Sequence, residues 1–438
     1  MFSLSYRNRE LVNLFVVAVL TGLGFASVYI ARQDVISTGS LSYALFFFAL
    51  YLAAHVVARL TVPQADPYLL PMAALLTAFG VTEIYRLDPD NAFRQGMWIV
   101  IGVTAFAAAL LLFRHDYRRL ESYKYLFGLT AIGLLILPAL PLVGETVNGA
   151  RLWVDVGGIR FQPGELAKIL LIVFLAGYLR EKREVLAQGR LKDFGPLLLI
   201  WGAAMLVIVM TNDLGSALLY FGIFLAMLYV ATAKAWFAGA GLALFIAGAA
   251  VIYQGVPRVE ERVSVWIDPW DHAQTSGYQI IQALYSISNG GFGGTGFGKG
   301  TFENTGGGEL IPYLHTDFIY AALSQELGLV GAAALLLVYM LFCLRGFRIA
   351  MLAQDGFSKL LAVGLTFGFA LQTFIIVGGV LRIIPLTGIT LPFVSYGGSS
   401  IVANFLLLAG LLLVSHRANS SGQLMEDRPC TGRSRGWP

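Results

Sequence analysis

Asp317 is the residue of this sequence whose surroundings best suit acid–base chemistry. It lies in the segment PYLHTDF, residues 312–318, where a glycine-rich stretch ends and a long apolar run begins. A carboxylate at such a boundary can be partly desolvated and still reachable from water, and both properties suit a general base. Aspartate also caps helix N-termini frequently, and on sequence alone this structural role is as well supported as the catalytic one.

Other ionisable residues lie in apolar surroundings, where a charge needs a partner. Glu165 and Lys168 are three residues apart and share one helix face, so they predict either an internal ion pair or an anchor for an anionic headgroup. Glu326, about two turns beyond Asp317 on the same predicted helix, favours structural pairing. Asp213 favours a helix cap over a substrate ligand.

The elements that must position these residues are membrane helices. Of the 438 residues, 57% are hydrophobic and 13% are charged, and the mean hydropathy is +0.72, whereas soluble domains have about 25% charged residues. The net charge of +4 is small and confined to short connections, which argues against nucleic acid as a partner. Cys343 and Cys430 predict neither a disulfide nor a metal cluster.

Twelve apolar runs are long enough to cross about 30 Å of hydrocarbon, which predicts an all-α polytopic membrane protein. Residues 1–417 are predicted to form one transmembrane domain, and residues 418–438 a disordered tail. The short polar break at residues 211–215 could instead be a kink or a re-entrant turn. The predicted spans are residues 11–31, 41–61, 69–87, 95–113, 124–143, 164–179, 194–210, 214–232, 235–254, 318–344, 359–380 and 391–414.

Basic residues alternate between the predicted connections, and by the positive-inside rule this alternation predicts the topology. Both termini lie in the cytoplasm, and the connections 144–163 and 255–317 lie outside. The second is by far the longest loop, which is typical of a functional segment. The sequence therefore predicts a protein of the cytoplasmic membrane with its chemistry at the outer face.

Four cations fall on the outer side, where the positive-inside rule does not place them: Arg151, Arg160, Lys299 and Arg382. Phosphate binding explains them, because arginine and lysine match phosphate oxygens, although interfacial snorkelling explains any single one. The glycine run at residues 290–300 predicts backbone that turns tightly or approaches a ligand closely.

Four blocks occur in order: NGARLWVDVGGIRFQPGELAK, GYQIIQALYSISNGGFGGTGFGKG, IPYLHTDFIYAALSQELG and PLTGITLPFVSYGGSS. They closely resemble the SEDS family of shape, elongation, division and sporulation proteins, FtsW, RodA and SpoVE. The resemblance covers residues 124–417, and residues 1–113 are less distinctive. Members commonly have ten spans, so the count implies two additional amino-terminal ones. The chain also has Gly164 where many members have serine, and Gln325 replaces a frequent glutamate.

The resemblance implies a peptidoglycan glycosyltransferase that polymerises lipid II into β-1,4 glycan at the outer face of the cytoplasmic membrane, with the RodA-like elongation branch favoured over division. It implies that Asp317 is catalytic, and that a class B penicillin-binding protein is the transpeptidase partner. The sequence requires no cofactor, and Mg²⁺ or Mn²⁺ would be held through the substrate's pyrophosphate. Arg151 and Lys168 are the best candidates for stabilising that pyrophosphate. The expected substrate-binding residues are Arg151, Trp153, Gln162, Glu165, Lys168, Gln279, Gln282, Lys299, His315, Thr316, Ser395 and Tyr396.

Two other functions fit the same residues. A lipid II flippase would need headgroup-binding polar residues and an opening to lipid but no bond-forming chemistry. A scaffold that only recruits a synthase would tolerate change at every polar site. Asp317 discriminates among them, since a flippase needs no base at the outer face.

Overall fold

The fold is that of a computed structural model, which describes residues 6–33, 38–140, 143–147, 150–157, 159–187, 195–211, 213–302 and 310–426. Helices account for most of these residues. They are α1 (Tyr6–Gln33), α2 (Thr38–Thr61), α3 (Leu69–Leu87), α4 (Pro89–Phe113), α5 (Arg119–Ser122), α6 (Lys124–Ile136), α7 (Pro163–Glu181), α8 (Arg183–Ala187), α9 (Gly195–Met210), α10 (Leu214–Thr232), α11 (Ala235–Gly255), α12 (Pro257–Ile267), α13 (Tyr278–Gly290), α14 (Ile319–Leu352), α15 (Gly356–Val380) and α16 (Gly398–Glu426).

The connection between α6 and α7 contains a small antiparallel sheet. Its strands are β1 (Gly144–Val147), β2 (Ala150–Val156) and β3 (Ile159–Phe161), in the order β1-β2-β3. Val154 is buried and Asp155 is exposed, the alternation of a half-buried strand. The all-α prediction is therefore wrong here, because strands this short leave no long apolar run, and the protein is mostly helical.

Within the described residues, eight helices are long and apolar enough to cross a membrane: α1, α2, α4, α10, α11, α14, α15 and α16. The chain is a multi-pass membrane protein. Helices α6 and α9 are shorter apolar helices, and α3 and α7 lie at two further predicted spans. The last predicted span starts too early, because α16 begins only at Gly398. Pro392 and the left-handed backbone of Phe393 (φ 64°) keep the preceding residues in a loop.

The core lies along α15 and α16. In the most apolar 18-residue stretch of each helix, 78% and 83% of the residues are buried. Phe369 stacks on Phe342 of α14 with ring centroids 4.3 Å apart, and Phe393 and Phe405 continue this aromatic cluster. Helix α11 is hardly covered by the rest of the protein, since only 6% of its most apolar 18-residue stretch is buried. A helix that is apolar all round and not packed by protein is suited to face lipid.

The helices are connected to one another at both ends of the bundle. At the end that carries Asp317, here called the Asp317 end, the Gln162 amide before α7 donates to Ser399 Oγ of α16 at 2.6 Å. At the opposite end, the Tyr117 and Ser358 hydroxyl oxygens lie 2.5 Å apart and connect the segment before α5 to α15. Helices α7 and α16 therefore begin at the Asp317 end, and α15 begins at the opposite end.

The glycine run folds against α14. A Cβ on Gly294 (φ +81°) would lie 2.1 Å from the Glu326 carbonyl oxygen, so only glycine permits this approach. The Glu326 carboxylate accepts the amides of Gly298 at 2.7 Å and Gly300 at 3.0 Å and lies 3.4 Å from Arg86 of α3. The structural interpretation of Glu326 is therefore confirmed.

The carboxyl-terminal helix α16 continues to Glu426. It thus extends into the segment for which we predicted disorder from residue 418. Residues 427–438, which include Cys430, lie outside the described residues.

Candidate active site

Asp317 closes a series of turns immediately before α14. The N-cap of α14 is Phe318, and no side chain caps it, so the helix-cap interpretation of Asp317 is wrong. The Asp317 carboxylate is partly buried and makes no hydrogen bond with any residue in the described ranges. Burial raises the pKa of Asp317 to about 6, and the positive charge of Arg262 opposes that shift. A carboxyl group with a pKa close to neutral pH is suited to general base catalysis.

Arg262 approaches from α12, the amphipathic helix that follows α11. Its guanidinium donates from Nη1 to the Thr387 carbonyl oxygen at 3.3 Å. Burial and the neighbouring Arg258 lower the pKa of Arg262 from its ordinary value, while the carboxylates of Asp213 and Asp317 favour its charged form. Arg262 is therefore close enough to Asp213 and Asp317 for both carboxylates to act on its charge.

Helix α12 is held in place beside the loop that leads to α16. Arg382 Nε donates to the Trp266 carbonyl oxygen at 2.8 Å, and Trp266 Nε1 donates to the Arg382 carbonyl oxygen at 3.2 Å. Arg382 thereby binds the last carbonyls of α12, and this contact explains its position without a phosphate. Arg160, another outer cation, lies 2.8 Å from Glu145 in the sheet region.

Residues 385–396, in the loop before α16, contact both α12 and the turn that contains Asp317. Gly388 has φ +75°, and a Cβ at this position would lie 3.7 Å from Asp317 Oδ2. Ser395 Oγ donates to the Thr316 carbonyl oxygen at 2.6 Å. The Tyr396 amide donates to the His315 carbonyl oxygen at 3.0 Å, and the two rings meet edge to face at 5.5 Å. The fold thus brings two of the sequence blocks into direct contact.

A chain of buried polar groups continues from α7 to the same loop. Lys168 Nζ lies 2.8 Å from Glu165 Oε2 and 2.6 Å from Gln372 Oε1. Gln372 Nε2 donates to the Thr390 carbonyl oxygen at 2.9 Å. Lys168 is only 3% exposed. The predicted internal ion pair is present, and Glu165 and Gln372 occupy two of the three N–H donors of this buried ammonium group.

The other predicted residues are distributed unevenly around Asp317. Gln279 Nε2 of α13 donates to the Pro312 carbonyl oxygen at 3.3 Å and so supports the turns before Asp317. Gln282 is partly buried on the same helix. Gln162 joins the site through its backbone amide, as described above for Ser399.

Three predicted residues have contacts elsewhere. Arg151 is exposed on β2, where its Nε donates to Thr146 Oγ1 at 3.2 Å, and Trp153 is partly buried on the same strand. Lys299 is exposed in the glycine run, whose neighbour Gly298 packs against α1. The described contacts of Arg151 and of the segment around Lys299 thus lie in the sheet and at α1, away from Asp317.

Sequence reasoning missed Arg262 and Gln372, and it undervalued Asp213. Asp213 caps α10 by accepting the Ser216 amide at 3.0 Å, which confirms the cap, but it also acts electrostatically on Arg262. The segment PRVEERVSVWI contains the signal for Arg262, since its period of 3.6 marks an amphipathic helix with an outer-side cation. Among the described residues, no group of three or more His, Cys, Asp or Glu side chains could hold a metal ion.

This chain is similar to proteins of a known family. Residues 67–420 match the model of the cell cycle protein family of FtsW, RodA and SpoVE. The chain belongs to this SEDS family. It is 40% identical over 433 residues to the peptidoglycan glycosyltransferase RodA of Mycobacterium tuberculosis H37Rv, covering 94% of this chain and 91% of the relative.

Solved structures extend the SEDS comparison to the fold. The rod shape determining protein RodA of Thermus thermophilus superposes with a TM-score of 0.59 at 27% identity, covering 81% of this chain and 97% of that one. A chain of a peptidoglycan synthase complex, studied for the coordination of polymerization and crosslinking, gives a TM-score of 0.68 at 28% identity, covering 81% and 98%. In this SEDS protein, α1 and α2 precede the region that the family model matches.

Proposed function

We propose that this chain is a RodA-like peptidoglycan glycosyltransferase that polymerises lipid II, with Asp317 as its general base. The observation that carries the proposal is the Asp317 carboxylate, partly buried without a hydrogen-bond donor and with its pKa raised to about 6, beside the guanidinium of Arg262. Membership of the SEDS family and the 40% identity to a peptidoglycan glycosyltransferase support the same activity.

The proposed reaction is a single displacement at a sugar carbon. An Asp317 oxygen takes the proton from the 4-hydroxyl of the acceptor lipid II sugar, and the hydroxyl oxygen attacks the anomeric carbon of the growing chain's terminal sugar. The bond from that carbon to the pyrophosphate oxygen breaks, and undecaprenyl pyrophosphate leaves with the electron pair. Attack from the opposite face converts the α-linked donor into a β-1,4 linkage.

Arg262 has two proposed roles in this reaction. Its charge keeps part of the Asp317 population ionised despite burial. A guanidinium also matches the oxygens of the leaving pyrophosphate, where negative charge develops. Arg151, exposed on β2, can reach a phosphate without breaking an ion pair, whereas Lys168 orders the site through Glu165 and Gln372.

The proposed topology has twelve spans with both termini in the cytoplasm and Asp317 at the outer face of the cytoplasmic membrane. The alternating helix ends support it, because Arg7, Arg180, Arg345 and Arg417 all make their contacts at the end opposite Asp317. A class B penicillin-binding protein is the proposed partner for crosslinking, in line with the synthase complex that shares this fold.

The test compares wild type with Asp317→Ala for two activities, using the detergent-purified protein with its penicillin-binding protein and moenomycin to suppress contaminating polymerases. Wild type should form glycan from lipid II, and a folded Asp317→Ala protein should form none. The flippase alternative predicts that neither protein polymerises and that both move lipid II across vesicle membranes. A scaffold predicts neither activity from either protein.

A further inference from the structure

A cavity of about 550 Å³ lies between the first four helices, toward the Asp317 end. Its inner wall is aromatic. Phe25 of α1 stacks on Tyr43 and Phe47 of α2 at 5.4 and 6.4 Å between ring centroids, and it meets Tyr85 of α3 edge-on at 5.6 Å. Sites for small organic ligands typically have volumes of about 300–1,000 Å³, so this cavity is large enough for a ligand.

The cavity opens sideways between α2 and α4. Phe46, Phe93 and Met97 line it and are 45%, 63% and 47% exposed. Both helices are candidate membrane spans, so this opening faces lipid chains. An apolar cavity excludes water and takes up apolar ligands, and an empty one loses the dispersion contacts of its walls. The occupant must therefore carry hydrocarbon.

A cation stands beside the opening. Arg94 follows Phe93 on α4, is exposed, and has no ion pair or hydrogen bond within the described part of the chain. It lies about 7 Å along the helix from its first residue, Pro89. From there its side chain can snorkel to the level of lipid phosphates. The site thus combines an apolar cavity with a positive charge at its rim, which is the complement of a lipid phosphate.

We propose that this cavity binds one acyl chain of a membrane phospholipid whose phosphate is held by Arg94. The opposite face of α4 contacts the loop before α16: Gln95 donates to the Ser395 carbonyl oxygen at 3.2 Å and accepts the Gly397 amide at 3.1 Å. Helix α4 therefore separates the lipid site from the residues around Asp317. The lipid site does not depend on the glycosyltransferase proposal, and either can fail without the other.

Two glycines provide a matched pair of variants. Gly96 lines the cavity, and a Cβ added there would meet no atom within 4 Å. Gly96→Leu should therefore fill the cavity without displacing backbone. Gly248, on the lipid-exposed α11, is equally open, and Gly248→Leu is the control for adding the same side chain to a membrane helix.

The experiment uses the full chain in nanodiscs of phosphatidylglycerol and phosphatidylethanolamine, with a phosphatidylglycerol probe that carries a photoreactive diazirine on one acyl chain. Mass spectrometry then quantifies labelled peptides after irradiation. In wild type we expect labelling near Phe46 and Met97 to exceed labelling of α11. Gly96→Leu should lower cavity labelling by about tenfold, because the chain loses apolar contact comparable to one buried leucine, and Gly248→Leu should leave it unchanged.

A second variant tests the charge without changing the interior. Arg94→Gln should lower cavity labelling by about threefold, the effect expected of one exposed charge pair, and Arg94→Lys should restore most of it. Equal labelling of the cavity and α11 in all variants would mean bulk lipid only and would overturn the proposal. Displacement of the probe by undecaprenyl phosphate but not by unlabelled phosphatidylglycerol would make this a prenyl-carrier site instead.

Discussion

The carboxylate of Asp317 and the guanidinium of Arg262 interact as opposite charges across the Asp317 end of the bundle. Asp317 belongs to the turn before α14, and Arg262 to the amphipathic helix α12. Burial favours the neutral carboxylic acid, and Arg262 favours the carboxylate. The balance between the two determines how much base is present at a given pH.

The rate of glycan synthesis should fall as the pH decreases through about 6, the pKa of Asp317. The base must be ionised to accept a proton, so activity is lost on the acidic side and approaches a plateau above this pKa. A profile of kcat/KM against pH, which reports groups of the free enzyme, measures this limb. A flat profile between pH 5 and 7 would contradict the assignment of Asp317 as the base.

Replacing Arg262 should move that acidic limb to higher pH. In Arg262→Gln the opposing positive charge is gone, burial acts alone, and the pKa of Asp317 rises further. Arg262→Lys keeps the charge and should keep the limb near its wild-type position. Arg160 pairs with Glu145 in the sheet region, so Arg160→Gln is the control for removing an arginine outside the Asp317 site. An unshifted limb in Arg262→Gln would show that the two groups do not interact in the working enzyme.

Breaking the pair of Glu165 and Lys168 should destabilise the protein more than removing both charges. Lys168→Met leaves a mostly buried carboxylate without its partner, and such a loss typically costs about 3 kcal/mol. The double variant Glu165→Gln/Lys168→Met should recover part of that loss. Unfolding midpoints in detergent for the two single variants and the double variant measure the coupling. Additive losses would mean that the ion pair contributes nothing.

The same substitution should destabilise the protein at one buried glutamate, Glu326, far more than at another, Glu83. Glu326→Gln weakens the acceptor of two glycine amides and the partner of Arg86, which should cost about 3 kcal/mol. The Glu83 carboxyl group is buried and accepts no hydrogen bond from a backbone amide or a cationic side chain among the described residues, and Glu326 is a nearby like charge. Glu83→Gln should therefore change stability by less than about 1 kcal/mol. Equal destabilisation by both variants, measured by thermal unfolding, would refute this difference.

Local sequence patterns predicted most of the helices and part of the site. Long apolar runs mark spans wherever hydrocarbon must be crossed. A spacing of three residues placed Glu165 and Lys168 on one helix face, with an ion pair as one of two predicted roles. The strands of residues 144–161 were missed because a half-buried strand alternates over only a few residues.

Local sequence patterns could not predict contacts between segments that are far apart in the sequence. The contact of Ser395 with Thr316 and the approach of Arg262 to Asp317 depend on how separate helices pack. The role of the glycine run at residues 290–300 was left open for the same reason. Its close approach to a partner was predictable from glycine, but the identity of that partner as α14, at Gly294 and Gly328, was not.

The central claim is that the Asp317 carboxylate accepts a proton during glycosyl transfer, and Asp317→Asn tests it most directly. The amide has nearly the same shape but cannot act as the base. We expect glycan formation from purified lipid II to slow by about 10²- to 10⁴-fold, the usual contribution of a general base, with the protein still folded and lipid II still bound. Polymerisation by a folded Asp317→Asn protein at close to the wild-type rate would contradict the claim.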